Sequence, residues 1–179
     1  MKKIVLVTQN KNKVEDFQKL MSEYVVEHVD FDIPEMQSFS PREIVENKLK
    51  FAFDKINIPC VVHDSSLFIN SLNGFPGPFI KFFYHIVGNR KITEICNLYE
   101  DKSCRWVSIM AVYDGENVQF IEESVEGKIS DIPKGTHGYA WDPIFIPDGE
   151  TRTLAEMTFE EKQKYAVTQK LVKKLEQII

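Results

Sequence analysis

Three cysteines, no long apolar run and no surplus of positive charge: each shortage in this sequence excludes a class of protein. Cys60, Cys96 and Cys104 are the 3 cysteines among 179 residues. Their number is odd and no pair has metal-finger or redox spacing, which fits a reduced, cytoplasmic setting better than a disulfide framework. No apolar stretch approaches the roughly 20 residues needed to cross a bilayer, so no membrane partner is expected. The opening Met1-Lys2-Lys3-Ile4-Val5-Leu6-Val7 stops at Thr8-Gln9-Asn10. It is too short for the apolar centre of a signal peptide and has no small-residue cleavage site, so it reads as a strand. Lys and Arg number 22 against 27 Asp and Glu, for a formal net charge of −5. Proteins that grip a nucleic-acid polymer along a groove carry a basic surplus, so no such polymer is expected as a partner. A small anion in a local basic pocket suits the charge balance better. His28, His63, His85 and His137 lack zinc-site spacing. No repeat, low-complexity tract or linker interrupts the chain.

What is present indicates a packed globular chain. Hydrophobic residues make up 43% and aromatics 12%, mostly Phe, which argues for an ordered interior. The length fits one domain. Ile4 to Val7 has the continuous apolar character of a strand buried on both faces. Val14, Phe17, Leu20 and Met21 recur at helical spacing, and Val25 to Val29 reads as a second strand. Ser40-Pro41-Arg42-Glu43 is a helix start, with Ser as N-cap, Pro in the first position and Glu three after the cap. Its apolar stripe is Val45, Leu49, Ala52, Phe53 and Ile56. A strand over Cys60 to Val62 is expected to end at His63-Asp64, with extended character resuming over Leu67 to Ile69. After the stiff Asn73-Gly74-Phe75-Pro76-Gly77-Pro78 loop, helices are expected near 80–87 and 91–99. A hairpin is expected from Trp106 to Tyr113 and Val118 to Val125 around Asp114-Gly115, with a separate strand over Gly127 to Ser130. Thr158-Phe159-Glu160-Glu161 is a capping box predicted to open the last helix, whose apolar face is Leu171, Val172, Leu175, Ile178 and Ile179. This order predicts an α/β fold with a mixed sheet.

Several segments are candidates for chemistry, each with a plainer alternative. Thr8-Gln9-Asn10-Lys11-Asn12-Lys13 joins a buried strand to a helix. A helix N-terminus presents unpaired N–H groups and partial positive charge, to which Lys11 and Lys13 add full charges and Thr8 and Asn10 add donors, so the segment suits phosphate. It lacks the glycines of a Walker loop, and Asn10 as a simple helix cap is the alternative. Asp64, read at a strand end, is placed where open α/β sheets bind ligands. It would hold a metal or activate water, or else serve as a turn former beside Ser65 and Ser66. Glu43 doubles as a capping residue, and Lys48 as a solvated lysine. In Gly138-Tyr139-Ala140-Trp141-Asp142-Pro143 the aromatics would stack on a nucleobase and the acid accept from its N–H groups, or both rings would belong to the core. Lys81 and Lys162 are surface decoration unless the fold gathers them.

Taken in order, these segments resemble the inosine triphosphate pyrophosphatase family over nearly the whole chain. Thr8, Asn10 and Lys13 match T-x-N-x-x-K. Glu43 and Lys48 match E-x(4)-K, and Asp64 matches an acidic strand end. Leu72 to Lys81 is similar to an N-G-x-P-G segment, Gly138 to Phe145 to G-F-G-[YW]-D-P-x-F, and Ala155-Glu156-Met157 with Glu161-Lys162 to A-E-M…E-K. The resemblance implies an elongated α/β fold in which a long mixed β-sheet is flanked by helices. It implies one domain over 1–179 with two lobes and a central cleft, and usually a homodimer. The implied activity is hydrolysis of non-standard purine nucleoside triphosphates (ITP, dITP, XTP) to the monophosphate and pyrophosphate, with Mg2+. Asp64 would then be metal ligand and water-activating base, with Glu43 as a second metal ligand. Lys13, Lys48 and Lys162 would neutralise the phosphates, assisted by Thr8, Asn10, Ser65 and Lys81. Tyr139 would stack on the base beside Ala140, Trp141 and Asp142.

Three positions depart from the family pattern. His63 stands where the family commonly has a second acid, and imidazole is a poor magnesium ligand. Ala140 replaces a Gly. Ala166-Val167-Thr168 stands where the family carries S-H-R, whose His and Arg read the purine 6-keto oxygen. Altered base choice, or nucleotide binding without turnover, are therefore the competing readings.

Overall fold

The computed structural model describes residues 2–34, 36–113 and 116–178. The elements run β1 (Lys2–Val7), α1 (Lys11–Leu20), β2 (Tyr24–Val29), α2 (Pro41–Ile56), β3 (Cys60–Ile69), β4 (Pro76–Gly77), α3 (Ile80–Ile86) and α4 (Asn89–Cys96). There follow β5 (Ser103–Tyr113), β6 (Val118–Ile129), β7 (Phe145–Pro147), α5 (Phe159–Lys162) and α6 (Val167–Leu175). The strands form one mixed sheet in the order β2-β1-β3-β5-β6-β7, with β4 paired to β3. β1 lies parallel to β2 from Lys2↔Tyr24 to Val7↔Val29 and parallel to β3 at Leu6↔Val61. β4 and β7 run antiparallel to β3 and β6. The fold is therefore α/β with helices flanking a mixed sheet, as the element order predicts.

The described chain divides into two compact units: Met1–Ser65, Ser108–Glu123 and Thr168–Ile179 make the first, and Ser66–Val107 with Ser124–Val167 the second. The first unit's core is built from Ile4 to Val7 on β1, Val14 and Phe17 on α1, Ile44, Val45, Leu49 and Ala52 on α2, and Leu171, Val172 and Leu175 on α6, all buried. α2 starts where the sequence predicts. Ser40 Oγ accepts from Glu43 N at 3.3 Å with Pro41 in the first turn, a cap that typically contributes about 1 kcal/mol. The second unit buries Ile80, Ile92, Ile129, Ile144, Phe145, Leu154 and Met157 together with an aromatic group. Trp106 there meets Trp141 and Phe145 edge-on, with centroids 6.0 and 6.1 Å apart.

Several expected boundaries are corrected. β3 does not stop at Asp64 but continues to Ile69. The polar residues in its middle mark a change of neighbour, from β1 at Val61 to β4 at Leu67 and Phe68. The Ser65 hydroxyl is paired with Ser108 Oγ at 2.6 Å, so no turn is needed to satisfy it. Likewise Gly127 to Ser130 is not a separate strand: β6 runs unbroken to Ile129. A Cβ on Gly127 would lie 2.4 Å from Ile146 O, so the glycine admits the β7 backbone instead of ending β6. The Thr158 capping box exists but opens only the four-residue α5. The Lys164 and Tyr165 amides bond three residues back, to Glu161 O and Lys162 O, and this tighter turn ends the helix. α6 restarts at Val167 with Ala166, Val167 and Thr168 buried. α3 and α4 also end earlier than expected, at Ile86 and Cys96. The Asp114-Gly115 turn and Ile179 lie outside the described residues.

Candidate active site

In the first unit, three charged side chains from separate elements converge. Lys13 from the first turn of α1 brings Nζ to 3.8 Å from Asp64 Oδ1 on β3, and Lys48 from α2 donates to Asp64 Oδ2 at 3.2 Å. Lys13 Nζ also donates to His63 O at 2.9 Å. The Lys13, Lys48 and Asp64 side chains are 14%, 13% and 23% exposed. Burial opposes ionisation of Asp64. The Lys13 and Lys48 charges and the Lys48 hydrogen bond outweigh it and hold the carboxyl below its ordinary range. At an effective dielectric of about 20, a unit-charge pair about 4 Å apart gains roughly 4 kcal/mol, and Asp64 has two such partners.

His63 lies next to Asp64 in sequence, but strand alternation sends successive side chains to opposite faces. Its ring is buried 5.7 Å from the Phe17 ring, and neither ring nitrogen has a hydrogen-bond partner. Burial, then the nearby Lys13 charge, push its pKa well below the usual histidine range, so the ring is neutral. His63 is thus a core residue at the position where a second acid would stand.

The loop before α1 is arranged more tightly than the sequence alone suggests. Asn10 Oδ1 takes the Asn12 and Lys13 amides at 3.0 and 3.4 Å, and the Asn10 amide donates to Thr8 Oγ1 at 3.1 Å. The first amides of α1 are therefore capped from within, which leaves the lysine charges as the main attraction for an anion. Gln9, Lys11 and Asn12 are exposed. Sequence reasoning missed His28, whose Nε2 donates to Thr8 O at 2.6 Å. Only the parallel register that sets Leu6 against His28 brings it there. Glu43 is exposed, and its Oε2 accepts from Ser38 Oγ at 2.6 Å. Among the described residues no group of three or more His, Cys, Asp or Glu side chains forms a ready metal cage.

The second unit holds the other candidates. Lys162 Nζ donates to Asp142 Oδ2 at 2.5 Å and lies 5.2 Å from the Tyr139 ring centroid. Asp142 Oδ2 also accepts from Tyr139 N at 3.0 Å. A Cβ on Gly138, which has φ +76°, would sit 2.1 Å from Asp142 Oδ2, so this turn accepts only glycine. Asp142 and Trp141 are 4% and 8% exposed, and Tyr139 is half-buried. The structure thus assembles Tyr139, Asp142 and Lys162, while Trp141 packs into the aromatic core against Tyr84 and Trp106. Lys81 is exposed in the first turn of α3. Ala166 and Val167, in the stretch standing for S-H-R, are buried and apolar.

The Ham1 family model matches residues 4–178. The chain is similar to the dITP/XTP pyrophosphatase of Methanopyrus kandleri, 36% identical over 166 residues that cover 90% of this chain and 88% of that protein. It is similar also to inosine triphosphate pyrophosphatase 1 of Trypanosoma cruzi, 35% identical with 90% and 84% covered. The solved structure of a HAM1 protein from Coxiella burnetii matches with a TM-score of 0.85 at 24% identity, covering 99% and 98% of the two chains, a likeness of fold.

Proposed function

Because this chain belongs to the Ham1 family, we propose that it hydrolyses non-standard purine nucleoside triphosphates, dITP, ITP and XTP, to the nucleoside monophosphate and pyrophosphate. The observation that carries the mechanism is an ionised Asp64 between Lys13 and Lys48. A triphosphate carries nearly four negative charges that repel an incoming hydroxide, so catalysis needs cations placed where that charge shifts. Lys13 and Lys48 supply two. They are also the groups that depress the Asp64 pKa. As they turn to bound phosphates their hold on Asp64 weakens, and the carboxylate becomes a better proton acceptor. Asp64 then takes the proton of the attacking water, the water oxygen bonds to phosphorus, the α–β bridging P–O bond breaks, and pyrophosphate leaves.

A magnesium ion fits this donor set. Magnesium binds through one or two carboxylates plus substrate phosphates and keeps several waters. Asp64 is an ionised oxygen donor of that kind, and Glu43 is the second carboxylate we assign to it. When bound, the ion supplies charge neutralisation on the phosphate oxygens. For the second unit we propose that Tyr139 presents its ring to the base and that Asp142 and Lys162 hold that ring in place, with Lys81 and Lys162 adding positive charge. Thr8, Asn10 and Ser65 complete the phosphate-side assignment. We take 1–179 as one functional domain and the active species as a homodimer in the cytoplasm, where three free buried cysteines are at home. Among the described residues no helix is long and apolar enough to cross a membrane.

The test is a magnesium-dependent product assay across ITP, dITP, XTP, ATP, GTP, CTP and UTP, scoring pyrophosphate and monophosphate apart from orthophosphate. Pyrophosphate release strongest with dITP, ITP and XTP is expected, and Asp64→Asn should lower kcat by at least about a hundredfold in protein that remains folded. Full activity in Asp64→Asn would remove it from the base role. The buried Ala166 and Val167 favour one second reading, the same chemistry on another base, which equal or faster release with ATP or GTP would establish.

A further inference from the structure

Ala140 stands between Tyr139 and Trp141 with φ +56°, in the left-handed region that side chains with a Cβ rarely occupy. The residue is not glycine, so something must hold the backbone there. Two restraints are visible inside the loop: Asp142 N donates to Tyr139 O at 3.1 Å, and Tyr139 N to Asp142 Oδ2 at 3.0 Å. Neither touches the Ala140 peptide oxygen. That oxygen is taken by a side chain 51 residues earlier in the chain: Asn89 Nδ2 donates to Ala140 O at 2.7 Å.

Asn89 is well placed for such a task. It is the first residue of α4, after Gly88 at φ +83°, and caps nothing in its own helix. Its Oδ1 is buried without a hydrogen-bond partner. An amide that leaves a buried acceptor unpaired is not there for its own satisfaction. The hydrogen bond from its side-chain nitrogen goes to the strained peptide. Rotating Ala140 toward a right-handed or extended conformation would swing that carbonyl away from Nδ2 and re-aim Tyr139, whose ring direction depends on the backbone on either side.

We propose that Asn89 is a positioning residue: it holds Ala140 in the left-handed conformation and thereby fixes the direction of the Tyr139 ring for base binding. The inference rests on the base-contact role of Tyr139 proposed above, and it makes Asn89 a determinant of base affinity that acts through another residue.

The experiment compares Asn89→Ala, the nearly isosteric Asn89→Asp, Ala140→Gly, the double variant Asn89→Ala with Ala140→Gly, and Tyr139→Ala as a reference. The readouts are kcat and KM for dITP and XTP, inhibition by inorganic tripolyphosphate, which has no base, and the melting temperature. Both Asn89 variants should raise KM about tenfold, the factor equivalent to about 1.4 kcal/mol of left-handed strain, with kcat within about twofold. Tripolyphosphate inhibition should not move. With glycine at 140 the conformation no longer needs holding, so the same Asn89→Ala change should alter KM by less than about threefold. An unchanged KM in Asn89→Asp, or an equal effect with alanine and with glycine at 140, overturns the proposal. If Tyr139→Ala leaves KM unchanged, the base-contact reading falls and this inference with it. If Tyr139→Ala raises KM and Asn89→Asp does not, the inference alone falls.

Discussion

Replacing Lys162 by Met should destabilise the second unit far more than replacing its partner Asp142 by Asn, and the structure sets the size of the difference. Asp142 is 4% exposed and the Lys162 side chain 13%. Taking the ammonium away leaves a buried carboxylate with the Tyr139 amide as its donor. Breaking a buried pair from one side costs about 3–5 kcal/mol, because the surviving charge has no solvent to turn to. The Tyr139 bond puts Lys162→Met near the lower end, about 3 kcal/mol. In Asp142→Asn the side-chain oxygen still accepts from Tyr139 N, and the longer lysine can carry its ammonium outward along its apolar stem. That loss should be about 1 kcal/mol.

The double variant removes both charges and should recover part of the Lys162→Met loss, a coupling of about 1–3 kcal/mol. At this chain length about 2–4 °C of melting temperature corresponds to each kcal/mol, so Lys162→Met should melt roughly 6–12 °C below the parent. Urea unfolding at low and high salt is the decisive assay. A buried pair is screened far less than a surface one, so the difference between the variants should persist in about 1 M salt, where the screening length is on the order of 3 Å. A Lys162→Met loss below about 1 kcal/mol, or equal and additive losses in the cycle, would refute the reasoning.

Three further outcomes are expected from the same structure. The Asp64 pKa is lowered on folding. Its contribution to stability is therefore complete above the unfolded value and lost as pH falls through the folded one. Lys48→Met should move the Asp64 carboxyl titration, monitored by carbon-13 NMR, toward higher pH, and a shift to lower pH or none would contradict the assigned cause. Cys60, Cys96 and Cys104 are at most 2% exposed, and burial pushes the Cys60 thiol up to about 11. A thiol reagent at neutral pH should label none of them in the native protein and all three in denaturant; rapid native labelling would show the burial to be wrong. Gly135 and Gly149 have matching φ of +81° and +82°, but a Cβ would lie 2.2 Å from the Ala155 backbone at the first and meet nothing at the second. Gly149→Ala should therefore cost only the strain, about 1 kcal/mol, and Gly135→Ala several times more by chemical denaturation; equal losses would remove the clash from the account.

What could be read from the sequence was local chemistry. Ser40, Pro41 and Glu43 announce α2 because a cap is a contact within four residues. Thr158 and Glu161 announce a capping box for the same reason. The segment beyond that box is nonetheless not one helix, because the break depends on turn hydrogen bonds at Lys164 and Tyr165 that leave no periodic mark. The middle of β3 misled because His63-Asp64-Ser65-Ser66 resembles a turn in polarity. The strand survives there beside β5, with the Ser65 hydroxyl paired to Ser108, 43 positions away. Lys13, Lys48 and Asp64 were nominated by ordered motifs, but their convergence is tertiary. His28 and Asn89, which reach Thr8 and Ala140 across 20 and 51 residues, carry no motif, and only the fold brings them into play.

The two departures closest to the proposed chemistry differ in physical kind. At Ala140 the change from glycine adds strain, and Asn89 offsets it. At His63 the change from an acid removes a charge. With the ring neutral and alternation turning it away from Asp64, two lysines and one aspartate set the first unit's cluster at +2 − 1 = +1. A positive cluster attracts a triphosphate and repels a bare cation. Magnesium should therefore bind this protein weakly alone and strongly as the nucleotide complex, because the phosphates supply the negative charge that the cluster lacks.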